Sequence, residues 1–172
     1  DGTSKDLNWK DLEIEGFDNT VKGEQTLTLN YDGATASKTI KVLAAPDSDP
    51  IHVSFTLLGD TKHGADTEEC HTLDGENLTT WVETSMIEVG ANETVYEVIK
   101  SLEEKYGFKI YDRETQYGTY IYAVEYKDVT LSEFDNGQNS GWMDTINDVH
   151  PGVGVAKQYL NDGDVIVLHY TD

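Results

Sequence analysis

The chain contains a single cysteine, three prolines and only 12 basic residues against 33 acidic ones. One cysteine excludes an intrachain disulfide, so the fold must be held by packing alone. That residue, Cys70, sits in Glu68-Glu69-Cys70-His71, an acidic flank that disfavours a reactive thiolate. The shortage of Lys and Arg, with a formal net charge of -21, excludes the positive footprint that nucleic-acid binding requires. Attraction to an anionic membrane surface is excluded on the same ground. No uninterrupted apolar run approaches the roughly 18 residues of a membrane-spanning helix. A signal-peptide pattern is also missing, and the opening Asp1-Gly2-Thr3-Ser4 reads as the interior of a longer protein. Neither a GxSxG elbow nor an HExxH helix is present, and paired carboxylates occur merely because acids are abundant. The chain therefore reads as a non-enzyme.

What is present suffices to fold. Of the 172 residues 37% are hydrophobic and 10% aromatic, which is enough to bury a core and excludes wholesale disorder. Residues 1–44 form a first unit. In it Leu27, Leu29 and Tyr31 alternate with polar residues, Asp32-Gly33 marks a type I′ turn, and Ile40 and Val42 lie on the return strand. Residues 45–50, which hold Pro46 and Pro50, read as a linker. A second unit spans 51–172.

The second unit opens with a strand in which Val53, Phe55 and Leu57 share one face. A stretch of about 20 residues with few apolar anchors follows, long for a compact domain, and then a strand from Trp81 to Val89. The spacing next predicts one helix over 94–106. Thr94 and Glu97 form its capping box, Val95, Val98, Ile99 and Leu102 its apolar stripe, and Gly107 its stop. Strands are expected at 108–111, 119–126, 142–146 and 164–170. The fold class is mainly β, or α+β: a β-grasp-like mixed sheet with one packed helix, preceded by a partial all-β unit.

Tyr117, Tyr120 and Trp142 are the aromatic candidates for a ligand surface, since aromatics in glycine-flanked turns offer flat area at low entropic cost. Tyr120 and Trp142 also stand at strand starts, where core packing would use them equally well. Gly118 and Gly141 read as backbone-geometry residues. Pro151-Gly152-Val153-Gly154-Val155 lacks the phosphate-loop pattern and reads as a mobile surface loop. His63, Cys70 and His71, with Asp66 or Glu69, would have to assemble a zinc site within one long loop. Asp135-Asn136-Gly137-Gln138-Asn139 is oxygen-rich but lacks the twelve-residue calcium pattern. No metal is expected from either stretch.

Two resemblances add to this reading. Residues 16–43, from Gly16-Phe17-Asp18 to Lys41-Val42-Leu43, resemble the C-terminal half of a bacterial immunoglobulin-like repeat. That likeness implies a module of a secreted or cell-surface Gram-positive protein. A copy cut to this length would expose a sheet edge through which it could associate with itself or a partner. Residues 51–172 resemble the transcobalamin-like C-terminal domain family, a bacterial family of largely unknown function. The segments that carry the likeness are Glu93–Ile99, Tyr117–Ile121, Gly141-Trp142-Met143 and Leu160–Ile166. The family's animal counterparts cap a corrin ring. Carried over, the cap would consist of Tyr117, Gly118, Thr119 and Tyr120, then Trp142 and Met143, then Val153, Gly154 and Val155. The resemblance thus implies an extracellular, non-enzymatic binding module for a cobalamin-like corrinoid or another flat, apolar molecule. A surface protein or glycan as partner, or a spacer with no ligand, is the alternative.

Overall fold

The computed structural model describes residues 6, 8–45, 48–65 and 78–172. Two compact units are present, 1–45 and 46–172.

The first unit is an antiparallel sheet of three strands in the order β1 (Glu13–Glu15), β2 (Gly23–Tyr31) and β3 (Ala34–Val42). Asp32 and Gly33 close the β2–β3 hairpin with φ of 44° and 79°. Both are left-handed, as a type I′ turn needs to match the strand twist. Among the described residues most side chains here are exposed or half-buried, and the buried hydrophobic side chains all lie at Val53 or beyond.

The second unit holds the expected mixed sheet. Strands β4 (Ile51–Gly59) and β5 (Thr79–Val89) form an antiparallel pair. The helix α1 runs from Val95 to Tyr106. Near the C-terminus, β9 (Gly141–Ile146) and β10 (Val165–Thr171) complete the sheet in the order β5-β4-β10-β9, with β10 parallel to β4. This is the β-grasp arrangement. The local chemistry of α1 is as the spacing predicts. The Thr94 hydroxyl accepts from the Glu97 amide, the Glu97 carboxylate accepts from the Thr94 amide, and Gly107 ends the helix at φ 69°. Val95, Val98, Ile99 and Leu102 are buried in one cluster with Val53, Phe55 and Leu57.

The expectation of one sheet is corrected in one respect. Between α1 and β9 the chain forms a separate antiparallel sheet of β6 (Phe108–Thr115), β7 (Gly118–Tyr126) and β8 (Val129–Ser132). Strand β6 runs past the expected 111 because a bulge between Tyr111 and Asp112 absorbs the break in alternation. β8 escapes the sequence pattern because it is four residues long and buries only Leu131.

An aromatic seam joins the two sheets. Trp81 of β5 stacks on Tyr126 of β7 and lies 5.6 Å from Trp142 of β9, which meets Tyr170 of β10 edge-on at 5.3 Å. The Trp142 indole N–H donates to the Leu131 carbonyl and the Tyr170 hydroxyl donates to that of Ser132, both on β8. Two aromatic polar ends therefore tie the second sheet to the first while their rings fill the space between.

Candidate functional site

The second unit carries a cleft of about 520 Å³ where the β6–β7 turn, the start of β9 and the loop before β10 meet. All nine residues of the cap implied by resemblance line it: Tyr117, Gly118, Thr119, Tyr120, Trp142, Met143, Val153, Gly154 and Val155. Their roles differ. Tyr117, Met143 and Val153 are 71%, 41% and 47% exposed and form an apolar rim. Trp142, Val155, Ile121 and Leu168 are buried and form the floor. Trp142 is at once a core residue and the base of the cleft, so the two readings of this residue are compatible.

The walls are fixed by backbone contacts that only glycine permits. The Gly154 amide donates to the Tyr117 carbonyl at 3.0 Å. A Cβ on Gly154 would lie 2.7 Å from the Thr119 carbonyl oxygen and 2.9 Å from the Gly118 carbonyl carbon. Gly118, at φ 108°, faces the Gly154 backbone from the other side. The Gln158 side-chain amide donates to the Val153 carbonyl, and Val155–Lys157 forms a 3-10 turn with Val155 in the core. The reading of 151–155 as a mobile surface loop is therefore corrected at Gly154 and Val155. Backbone-to-backbone packing of this kind leaves no mark in a glycine-rich sequence.

Polar side chains come both from the β6–β7 hairpin, with Thr115, Gln116 and Thr119, and from β9 and the residues after it. Asp144 and His150 line the cleft. Burial pushes the Asp144 carboxyl up to about 6, partly opposed by Gln158 and by the charge of His150. Behind them the buried His169 ring lies 5.5 Å from that of His150, and burial holds its imidazole below the usual range. Tyr120 is also raised, first by burial and then by the Glu133 charge, while its ring carries the Arg113 guanidinium at 5.5 Å. The site is thus a largely apolar surface with one carboxyl that burial raises to about 6.

The other candidates fall elsewhere. Cys70, His71, Asp66 and Glu69 lie outside the described residues. His63 is described and meets Asp60 and Asp172 instead. Burial lowers its pKa, but the Gly64 carbonyl and these two carboxylates outweigh that and raise it. The stretch from Asp135 to Asn139 is a turn. In it the Asp135 carboxylate pairs with Lys62 and accepts from the Ser132 amide, and Asn136 is buried. Asp60 and Asp172 were not marked by the sequence at all. Asp162-Gly163 forms the turn before β10, with Gly163 at φ 86°.

Among the described residues no helix is long and apolar enough to cross a membrane. No curated protein matches the chain. A crystal structure from Ruminococcus gnavus ATCC 29149, whose description proposes metal binding, shares 16% identity at a TM-score of 0.43, covering 70% of this chain and 95% of that one. A likeness that distant carries no argument about function. Residues 1–43 match the model of the bacterial Ig-like domain (group 3), and residues 92–172, which hold the whole cleft, match that of a domain of unknown function (DUF4430).

Proposed function

We propose that the second unit is a non-enzymatic binding module of a larger extracellular bacterial protein, and that its cleft holds a flat, largely apolar small molecule. One observation carries this reading. Three large apolar side chains, Tyr117, Met143 and Val153, stay exposed around a cleft whose floor is closed by buried Trp142, Ile121 and Leu168. Exposed apolar groups converging on a concave surface are costly in water unless something covers them. The match to bacterial Ig-like domains, which are often extracellular, supports the location.

The transcobalamin resemblance makes a corrinoid the first compound to test. A cleft of about 520 Å³ takes one edge or arm of such a molecule rather than the whole. Burying only part of the ligand at about 25 cal/mol per Å² sacrifices several kcal/mol relative to full enclosure, so micromolar affinity is the expectation. The test is a tryptophan-fluorescence titration with cobalamin, cobinamide and apolar aromatic controls, because Trp142 forms the floor. Saturable quenching beyond inner-filter absorbance, weakened at least tenfold in Tyr117→Ala, supports the reading. A flat titration with every compound would leave a spacer role as the better account. Tyr117 is the residue to change, since it is exposed, whereas Trp142→Ala would remove a core side chain.

A further inference from the structure

Parallel pairing of β4 and β10 sets His169 beside Leu58. The residues just beyond the two strand ends, Asp60 and Asp172, are therefore neighbours in space although far apart in the chain. His63 reaches them from the loop after β4. Its Nε2 lies 3.2 Å from Oδ2 of Asp60 and 3.2 Å from Oδ2 of Asp172, with side-chain exposures of 15%, 6% and 2% for the histidine and the two acids. The three atoms all fall within 4.8 Å of one another.

The histidine is oriented. Its Nδ1 lies 2.9 Å from the Gly64 carbonyl oxygen, which can only accept. A proton is accordingly assigned to Nδ1, and Nε2, which faces two carboxylates that can only accept, is the nitrogen that would meet a metal ion in place of a second proton. A ring nitrogen fixed by a carbonyl on its far side is the usual outer support of a metal-binding histidine. Asn136 braces the same group: its Nδ2 donates to Asp60 Oδ2 at 3.0 Å and to the Thr61 carbonyl at 2.8 Å, and its Oδ1 accepts from the His63 amide at 2.9 Å. Metal–ligand bonds of about 2.0–2.2 Å give shell edges of about 3.0–3.6 Å, and both histidine–aspartate separations fall in that range.

We propose that Asp60, His63 and Asp172 bind a divalent transition-metal ion of the zinc or manganese class, with water completing the shell. One imidazole with two carboxylates suits these ions. Calcium, which takes six to eight oxygens, is disfavoured. The site shares no residue with the apolar cleft, so neither proposal depends on the other.

The test is calorimetric titration of the chelator-treated full chain with zinc, manganese and calcium chlorides. One equivalent of zinc or manganese should bind saturably. His63→Gln and Asp172→Asn should each weaken it at least tenfold, while the double change Cys70→Ser with His71→Ala and the exposed Asp162→Asn should leave it intact. The wild type supplies a reading that needs no variant to fold: zinc should shift the NMR signals of the His63 ring. No saturable uptake of either ion would overturn the proposal, leaving His63 a protonated ion-pair partner. Uptake unchanged by both substitutions, lost with Cys70 and His71, or without effect on the His63 signals would overturn it equally.

Discussion

Strands β3 and β4 are both nine residues long, yet they end in different environments. In β4 every second residue, Val53, Phe55 and Leu57, is fully buried. In β3 six consecutive residues from Ala34 to Thr39 are exposed, and Ile40 and Val42 are only half-covered. The difference lies in what each sheet has to pack on. The second unit offers α1 and a second sheet, and their apolar stripes meet that of β4 in one cluster. The first unit offers a hairpin and one three-residue strand. Alternation is enough to make a strand, but a second apolar layer is needed to make a core. The proposed ligand cleft follows the same division, since a concave site needs two layers to lie between.

Substitutions in the two units sharpen the contrast. Phe55→Ala, which empties a fully buried site stacked on Phe108, should cost about 3–5 kcal/mol in urea unfolding followed by tryptophan fluorescence. Next comes the titrating carboxyl. A buried acid whose folded pKa is raised holds its proton longer in the folded than in the unfolded state. Its contribution is present at low pH and is lost as pH rises from about 4 through the folded value near 6. The loss approaches about 2–3 kcal/mol above pH 7, since each tenfold change in proton affinity is worth about 1.4 kcal/mol. Asp144→Asn should therefore match the wild type near pH 4 and exceed it by up to that amount at pH 7.5 in thermal or urea melts. Equal stabilities at both pH values would show Asp144 to be solvated.

Gly154→Ala should cost about 1–3 kcal/mol through the clash with Thr119 and Gly118, and should abolish ligand binding by displacing one wall of the cleft. Full binding with an intact fold would contradict the account of the walls. The smallest effect is expected in the first unit. Ile14→Ala, at a site 48% exposed, should change stability by no more than about 0.5 kcal/mol. A loss comparable to that of Phe55→Ala would break the comparison.

Much of the second unit was legible because its signals are local. The capping box at Thr94, the stripe from Val95 to Leu102 and the stop at Gly107 act within one helix, and β4 declares its buried face by simple alternation. What stayed hidden depends on non-local pairing. The strand order follows from which edges meet, the separate β6-β7-β8 sheet from packing against α1, and β8 from a single buried leucine. Residue types alone indicated aromatics at the cleft and could not divide them. Tyr117 proves to be rim and Trp142 floor, a difference decided by the Trp142 bond to Leu131 on a strand that the alternation did not reveal. Asp60 and Asp172 become neighbours only once β4 and β10 pair in parallel.

The claim that the apolar cleft is a ligand site is tested most directly by calorimetry of the full chain against a cobinamide at two temperatures, with Tyr117→Ala in parallel. The account predicts saturable one-to-one binding in the micromolar range with a negative heat-capacity change, as apolar burial requires, and at least tenfold weakening in the variant. Absence of binding heat at both temperatures, or binding that Tyr117→Ala leaves unchanged, would contradict it.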